Sequence, residues 1–531
     1  MKNALRVPKG LTSMRFRSLS ALVAVLLCFA LLCGQTAVLS QRFAAAAASQ
    51  PRTRTLSVGT TRGKIYARDG SLLVDRTTRL LAAAAPCGET RDLLIRVLGE
   101  AGANEALRTR APLLLETRVP QNGDAVRTFS VPVRYAADDV AVHLVGTLDS
   151  AGHGATGVER AFDAWLQRQG GSLSVRFSVN ANGQALPGLN KEIADRNFNS
   201  PAGVALTIDP ERQRIVEDAL QNSRIQSGCA ALLDTGTGEV LALASVPAPD
   251  RTGNSAAGDA SSLNRALLSY APGSVMKPLL AAFALENGVS PKTRFTCRGT
   301  IRVGDTVFRC YGGRAHGRQT MGEALAHSCN VWFIRLLQGL DASAYLAFCR
   351  SLGLGQAVLL CQGLQSEAGA LPPLSLLASP GQRSLLAFGQ GRLLVTPLQL
   401  LRAYHVLATG CLVQPTVLRG TVNGRGLLTP AGRERPARVL KESTVQTLRQ
   451  LLTRRDDSLP VALAGKTGTA QSGVFRGGKE VCRTWFCGFL PAGNPHYVLV
   501  ILNEDGTTGA ADCVPAAKEI CARLVGYAPN G

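Results

Sequence analysis

The 531-residue chain is predicted to adopt an α+β fold, with a five-stranded, mainly antiparallel sheet that has helices on both sides. Apolar segments of strand length stand at both ends of the C-terminal part of the chain, and the stretch between them, 265–460, is mostly helical and loop-like. A smaller α/β domain and one apolar N-terminal helix are predicted to precede this sheet.

The N-terminus has the features of a membrane anchor. Residues 1–18 are basic and contain no acidic residue, and the 21 residues 19–39 carry no charge, which is long enough to cross a bilayer. The basic flank predicts a cytoplasmic N-terminus, with the rest of the chain on the extracytoplasmic side. A cleaved signal peptide is the alternative, because alanines follow the segment, but the segment is longer than a usual signal core. We therefore predict a single-pass anchor in the cell membrane.

Residues 40–200 are predicted to form a smaller domain, which we call the pedestal. Polar residues 189–202 are predicted to be a linker at its end. The predicted elements are a strand–turn–strand over Arg62–Gly70, helices near Glu89–Leu98 and Asn104–Leu115, a helix that begins at Gly157–Glu159, and a strand over Leu173–Val179 that ends in the turn Asn182-Gly183.

Residues 204–531 are predicted to form the main domain. Asp209-Pro210 has the pattern of a helix N-cap followed by proline at the first helical position. The strands and the last helix are predicted over Cys229–Leu233, Val240–Ala244, Gly465–Gln471, Trp485–Leu490, Tyr497–Leu502 and Val514–Val525.

Three short polar motifs follow one another in this domain: Ser274-Val-Met-Lys277, Ser328-Cys-Asn330 and Lys466-Thr-Gly-Thr469. Ser274 precedes Ser328 by 54 residues and Lys466 by 192 residues. Each pattern alone is a weak signal, but their combination in this order is a strong one. The three motifs therefore predict one active site assembled from distant parts of the chain.

The residue types in the first motif suit nucleophilic catalysis. A serine hydroxyl is a weak nucleophile unless a base lies beside it. On a helix, a spacing of three residues places Ser274 and Lys277 on one face. A lysine can act as a base only if burial or a neighbouring cation lowers its pKa, and Lys466 could be that cation.

The other two motifs suit proton transfer and substrate binding. Ser328 can relay a proton to a leaving amine, and Asn330 can bond a peptide group as both donor and acceptor. Thr467 and Thr469 offer hydroxyls to a terminal carboxylate, with the charge of Lys466 beside them. Gly468 leaves room for a substrate backbone along the strand.

The net charge and the cysteine pattern indicate which classes of ligand to expect. The net charge of +21 favours anionic neighbours such as lipid headgroups and wall polymers. No nucleic-acid motif accompanies it and aromatic residues make up 5%, so nucleic acid is a poor fit. The 14 cysteines form no C-x-x-C pair and no zinc-like Cys/His spacing, which predicts no metal site. We hypothesise that Cys329 pairs with Cys310 or Cys297 and gates the site by redox state.

The motifs resemble those of class B penicillin-binding proteins, which are membrane-anchored peptidoglycan D,D-transpeptidases. The resemblance implies that residues 204–531 have the penicillin-binding, serine β-lactamase-like fold. Segments outside the motifs also carry it, namely Arg62–Gly70, Gly157–Glu159 through Asn182-Gly183, Leu206–Asp209 with Gln213, Gly389–Gly391 with Thr396–Gln399, and Trp485-Phe486 with Gly488-Phe489.

The resemblance also implies a role for each motif residue. Ser274 is the nucleophile that becomes acylated, and Lys277 is its base. Ser328 and Asn330 transfer protons and bind a substrate amide. Lys466, Thr467 and Thr469 hold the carboxylate of a stem peptide. The backbone N–H groups of Ser274 and Thr469 would form the oxyanion hole.

The ligands that the resemblance implies are peptidoglycan stem peptides, lipid-linked nascent glycan and β-lactam antibiotics. The implied partner is a glycosyltransferase of the shape–elongation–division–sporulation family. No cofactor or metal is implied, and elongation, division and sporulation stay open as the process served.

Four alternatives use the same fold. A β-lactamase would need a glutamate that directs a deacylating water, but the surroundings of Glu367 do not reproduce that loop. A D,D-carboxypeptidase would release the same acyl group to water. A non-catalytic β-lactam sensor usually couples to a membrane protease, and the sequence has no H-E-x-x-H motif. A scaffold that had lost catalysis would be expected to lose motif residues, yet all three motifs are intact.

Overall fold

The computed structural model describes residues 10–49, 52–186, 191–249, 260–454, 456–476 and 478–525. The contacts of the chain divide it into two compact units. The first comprises Met1–Thr61, Thr78–Val131 and Gly171–Phe198, and the second comprises Arg62–Thr77, Pro132–Gly170 and Asn199–Gly531. The boundary near residue 200 that the sequence predicts stays a prediction.

The helices and strands are numbered in chain order. The helices are α1 (Gly10–Ser49), α2 (Arg91–Thr109), α3 (Val142–Val145), α4 (Gly157–Ala161), α5 (Asp163–Arg168), α6 (Pro210–Asn222), α7 (Lys277–Glu286), α8 (Met321–Ala326), α9 (Asn330–Gln338), α10 (Ala342–Ser351), α11 (Pro380–Ala387), α12 (Pro397–Thr409), α13 (Glu442–Leu452) and α14 (Gly509–Val525). The strands are β1 (Arg52–Thr60), β2 (Lys64–Tyr66), β3 (Thr77–Ala84), β4 (Leu113–Thr117), β5 (Val126–Val133), β6 (Ser172–Val179), β7 (Glu192–Arg196), β8 (Gly203–Leu206), β9 (Gly228–Asp234), β10 (Val240–Val246), β11 (Phe295–Cys297), β12 (Thr300–Val303), β13 (Thr306–Arg309), β14 (Gly317–Gln319), β15 (Leu359–Cys361), β16 (Leu364–Gln365), β17 (Cys411–Leu412), β18 (Leu418–Val422), β19 (Leu428–Pro430), β20 (Ala437–Arg438), β21 (Thr453–Arg454), β22 (Leu463–Arg476), β23 (Lys479–Leu490) and β24 (Tyr497–Gly506).

Helix α1 contains the apolar segment that the sequence predicts to be an anchor. Its part Leu19–Arg42 is long and apolar enough to cross a membrane, and its large apolar side chains are exposed. A helix with apolar side chains all around needs an apolar environment, which a bilayer supplies. Residues 1–9 of the predicted basic tail lie outside the described residues.

The first unit contains two three-stranded sheets, of order β1-β6-β7 and β4-β3-β5, together with helix α2. Strand β6 alternates between buried and half-buried residues, as the sequence predicts for Leu173–Val179. Its buried side chains, among them Val175 and Phe177, pack with Val58 and Phe198 in one apolar core.

Two predictions for the pedestal are wrong in part. Helix α2 ends at Thr109, and residues Leu113–Thr117, which overlap the predicted helix Asn104–Leu115, form a strand paired with β3. A short apolar run does not by itself distinguish strand from helix, so the pairing decided its structure. The predicted linker contains β7, a polar edge strand paired with β6; residues 187–190 lie outside the described part of the chain.

The centre of the second unit is a six-stranded antiparallel sheet of order β10-β9-β24-β23-β22-β21. All five predicted strands are present, so the α+β fold class is confirmed. The sixth strand, β21, has two residues, which is too short to leave a pattern in the sequence.

Alternate residues of this sheet face two different helical layers. On one face, residues such as Leu232, Leu499 and Ile501 pack with apolar residues of α6 and α14. On the other face, residues such as Ala231, Val500 and Trp485 pack in a larger core that includes α7, α9 and α12. The sheet therefore forms the middle of three layers, and the second helical layer carries the first two motifs.

Candidate active site

Ser274 lies in a tight turn, Gly273–Met276, that continues directly into helix α7. Gly273 has a φ of 60°, a backbone conformation that glycine adopts without strain. Its N–H donates to the carbonyl oxygen of Gly389 (2.9 Å), and the Tyr404 hydroxyl donates to the carbonyl oxygen of Val275 (2.9 Å). These bonds fix the turn, which leaves the Ser274 side chain half-buried at its surface.

Four oxygen atoms surround the amino group of Lys277, whose side chain is fully buried. Its Nζ lies 2.9 Å from Ser274 Oγ and 3.1 Å from Ser328 Oγ. It donates to the Ser328 carbonyl oxygen and to Asn330 Oδ1, each at 2.7 Å. The carbonyl and amide oxygens can only accept. A neutral amine would therefore give its two N–H groups to them and keep its lone pair for a hydroxyl proton.

The second motif is held in an unusual backbone conformation. Ser328 has a φ of 52°, which is costly for a residue with a Cβ. This conformation brings both the carbonyl and the hydroxyl oxygens of Ser328 to Lys277. Asn330 begins α9, and its Nδ2 donates to the carbonyl oxygen of Arg309 (2.9 Å), which orients its Oδ1 toward Lys277.

The third motif lies on strand β22, which packs directly on the Ser274 turn. A Cβ added to Gly468 would lie 2.9 Å from the Pro272 carbonyl oxygen, and one added to Gly273 would lie 2.9 Å from the Thr469 carbonyl oxygen. Side chains at these two positions would push the strand and the turn apart. Thr467 and Thr469 alternate along β22 with the buried Lys466 and Gly468, so the two hydroxyls share one face.

The two lysines of the site are buried without a carboxylate partner among the described residues. Burial, and then the positive charge of Lys466, hold the pKa of Lys277 well below its ordinary value. Burial, and then the charge of Arg454, lower the pKa of Lys466 to about 7. The neutral form of Lys277, which can remove a proton from Ser274, is thereby favoured.

The structure brings together Ser274, Lys277, Ser328 and Asn330 around one amino group, and it places Lys466 to Thr469 on the strand beside them. It also brings Cys297, Cys310 and Cys329 into one buried group, without a disulfide bond between them. Their redox pairing stays a prediction.

Two residues near these groups were missed in the sequence. Arg454 lies on β21, which pairs with β22, and the residue influences Lys466. His316 joins the three cysteines. Neither belongs to a motif, and only the pairing of short strands places them there, so the sequence held no usable signal.

Comparison with known proteins agrees with this geometry. Residues 228–525 match the family described as the penicillin binding protein transpeptidase domain. The chain is 31% identical over 429 residues to penicillin-binding protein PbpB of Mycolicibacterium smegmatis, covering 74% of this chain and 64% of that protein. It is 29% identical over 396 residues to peptidoglycan D,D-transpeptidase FtsI of Escherichia coli, covering 71% and 63%.

A solved structure shows the same architecture. The crystal structure of penicillin binding protein 3 from Mycobacterium tuberculosis, complexed with aztreonam, superposes with a TM-score of 0.62 at 25% identity, over 89% of this chain and 97% of that one. The chain belongs to the penicillin-binding protein transpeptidase family, in its class B branch. It spans about three fifths of the length of these curated relatives.

Proposed function

We propose that this protein is a peptidoglycan D,D-transpeptidase that cross-links stem peptides through an acyl-enzyme at Ser274. The observation that carries the proposal is the convergence of Ser274, Ser328 and Asn330 on the buried amino group of Lys277, within 3.1 Å. This arrangement pairs a nucleophile with its base and offers the leaving amine a second hydroxyl.

In the first step, Ser274 Oγ attacks the carbonyl carbon of the penultimate D-alanine while its proton moves to neutral Lys277 Nζ. The backbone N–H groups of Ser274 and Thr469 stabilise the oxyanion. The carbon–nitrogen bond then breaks, and the departing D-alanine amine takes the proton from Lys277 through Ser328 Oγ. The products are free D-alanine and an ester on Ser274.

In the second step, the amine of a neighbouring stem peptide attacks this ester. Its proton passes to Lys277 and then to Ser274 Oγ as the carbon–oxygen bond breaks, which restores the enzyme. Asn330 holds the substrate amide, and Lys466 with Thr467 and Thr469 holds the terminal carboxylate. A β-lactam would acylate Ser274 in the same way and leave the site slowly.

The β-lactamase alternative has less support. The Glu367 carboxylate accepts hydrogen bonds from the backbone N–H (2.8 Å) and the hydroxyl (2.5 Å) of Ser269. These bonds give the carboxylate a local structural role and do not direct it at an acyl group on Ser274.

Labelling with a fluorescent penicillin tests the nucleophile. We expect Ser274→Ala to lose all labelling, and Ser269→Ala, a nearby serine outside the Lys277 network, to keep it. Labelling that persists in Ser274→Ala would refute the assignment. The products formed from a lipid-linked glycan substrate separate the activities, because a transpeptidase yields cross-linked dimers whereas a carboxypeptidase yields only the trimmed peptide.

We further propose a domain order for the chain. Residues 1–18 form a cytoplasmic tail, 19–39 a transmembrane anchor, 40–200 the pedestal and 204–531 the transpeptidase domain. The apolar helix α1 and its basic flank support this topology. Protease added to intact spheroplasts is expected to digest the transpeptidase domain. Protection of that domain until the cells are lysed would reverse the orientation.

The proposed partner is a glycosyltransferase of the shape–elongation–division–sporulation family, which would supply nascent glycan beside the anchor. We expect co-reconstitution of the two proteins to increase cross-linking over either alone. A fluorescent fusion that concentrates at the septum, the side wall or the forespore would assign the process.

A further inference from the structure

Three buried cysteines and one half-buried histidine form a compact group beside the second motif. Cys297 ends strand β11, Cys310 follows strand β13, His316 precedes strand β14, and Cys329 is the N-cap of α9. The three cysteines are at most 3% exposed. The potential ligand atoms of all four residues lie within 4.8 Å of one another.

Three of the distances within this group match the edges of a tetrahedron around one metal ion. The sulfur atoms of Cys297 and Cys310 are 3.6 Å apart, those of Cys310 and Cys329 are 3.8 Å apart, and Cys297 Sγ is 3.5 Å from His316 Nδ1. Bond lengths of about 2.3 Å to sulfur and 2.0 Å to nitrogen give tetrahedral edges of about 3.8 Å and 3.5 Å. A disulfide would need about 2.05 Å between two sulfurs.

We propose that Cys297, Cys310, His316 and Cys329 bind one zinc ion as a structural site. Three thiolates and one imidazole form a ligand set that suits tetrahedral zinc. Each cysteine thiol gives up its proton on binding, and no electron is transferred.

The surroundings of the group favour ligation over isolated thiols. The backbone N–H of Gly299 donates to Cys297 Sγ (3.3 Å), and that of Trp332 donates to Cys329 Sγ (3.4 Å). Such N–H bonds orient sulfur ligands and stabilise their negative charge. The nearby strands belong to separate two-stranded sheets, β11-β14 and β12-β13. Isolated two-stranded sheets are marginally stable in water, and a metal ion would cross-link them.

The zinc ion would also position the active site. Cys329 stands between Ser328 and Asn330, which both bond Lys277. Asn330 also bonds the carbonyl oxygen of Arg309, the residue before Cys310. The four ligands are therefore positioning residues, because they act through the oxygen atoms around Lys277 and do not themselves touch the substrate.

Metal analysis of the full chain, purified in detergent without chelator or added metal, tests the proposal. We expect about one zinc per chain, and less than a tenth of that in Cys297→Ser and His316→Ala. Cys349→Ser is the matched control, because Cys349 is buried but lies outside the group, and we expect it to keep the zinc. Loss of zinc from all three variants, or from none, would overturn the assignment.

A second measurement needs no variant. Cobalt added to the metal-depleted wild-type chain is expected to give the intense thiolate-to-cobalt absorption of a tetrahedral site, and zinc is expected to abolish it. Zinc-free protein whose intact mass shows a disulfide would favour the redox hypothesis and refute the zinc site, as would free thiols that bind no cobalt.

The metal readouts do not depend on acylation of Ser274, so this proposal and the proposed function can fail separately. Removal of the metal is expected to slow β-lactam acylation by about 10- to 100-fold, and restored zinc is expected to recover the rate.

Discussion

Two regions of the second unit bury ionisable side chains in opposite ways. Around Glu159, whose side chain is fully buried, Arg62 lies 2.9 Å and Arg134 lies 2.7 Å from the carboxylate oxygens. Around Lys277, equally buried, the described partners are uncharged oxygen atoms. The first region compensates its buried carboxylate with two arginines, and the second leaves a lysine with no counter-ion among the residues that the structure describes.

The two arrangements suit different roles, because the Glu159 region contributes to stability and the Lys277 region supplies a base. A buried ion pair lowers the free energy of the charged forms, which suits a structural role. A lysine that is buried among neutral acceptors loses its proton easily, which suits a base. The Arg62–Gly70 and Gly157–Glu159 segments, which the sequence marks as separate, meet in the Arg62–Glu159 pair, whereas the catalytic motifs meet at Lys277.

The largest expected effect is on acylation, through a substitution in the region around Lys277. Lys277→Met is expected to slow acylation by a fluorescent penicillin about 1,000-fold, because no base then takes the Ser274 proton. The thermal unfolding temperature should stay the same or rise, because methionine has no polar group to bury. Lys292→Met, at an exposed lysine, is the control with normal acylation. An unchanged rate in Lys277→Met would remove lysine as the base.

The next largest effect is on the stability of the chain, through a substitution in the region around Glu159. Glu159→Gln is expected to destabilise the chain by about 2 kcal/mol, because it removes the carboxylate that Arg62 and Arg134 share and leaves each arginine with one remaining partner, Asp163 and Asp75. Urea unfolding of the full chain in detergent measures the loss, and the acylation rate of the folded fraction should not change. Glu192→Gln breaks an exposed pair with Arg176 and should have a much smaller effect. Equal effects of the two substitutions would contradict a structural role for Glu159.

The acylation rate is expected to depend on pH through Lys466. In the proposed mechanism its ammonium attracts the carboxylate of a β-lactam, and its pKa is lowered to about 7. The second-order acylation rate with benzylpenicillin is therefore expected to fall above pH 7, approaching tenfold per pH unit. The methyl ester of benzylpenicillin, which has no carboxylate, should not show this fall. Lys466→Arg should abolish it as well, since guanidinium stays charged.

The stability of the chain should change in the opposite direction over the same range. The pKa of Lys466 is about 7 in the folded chain and has an ordinary value of 10.5, so the unfolded chain binds more protons between these values. Stability is therefore expected to rise with pH across this window. Urea midpoints of wild type and Lys466→Met measure the contribution. If stability fell together with the acylation rate, unfolding would explain the lost activity.

The smallest effect concerns backbone strain. Both regions contain a residue with positive φ, Ser328 at 52° and Asp75 at 57°, and aspartate tolerates this conformation better. Ser328→Gly is expected to be more stable than Ser328→Ala by about 1 kcal/mol, while both should acylate slowly for want of the hydroxyl. At Ser343, in helix α10, the alanine variant should be more stable than the glycine variant, because glycine disfavours a helix. The same order at both positions would exclude strain at Ser328.

Part of this organisation follows from local patterns in the chain. Apolar segments of strand length predicted strands of the central sheet, because a strand buried on both faces needs apolar residues at successive positions. The uncharged segment predicted an apolar helix of membrane length. The three motifs predicted which residues would meet, since nucleophile, base and carboxylate-binding groups have few chemical substitutes.

Other features depended on contacts between distant residues. The strand Leu113–Thr117 and the polar strand Glu192–Arg196 formed only because neighbours supplied their backbone hydrogen bonds. The positive φ of Ser328 and the meeting of His316 with three cysteines have no local signature. Burial and the charges of distant residues set the pKa values of Lys277 and Lys466. Residue types thus specified the available chemistry, but only folding could supply the low-dielectric surroundings and short distances that make it work.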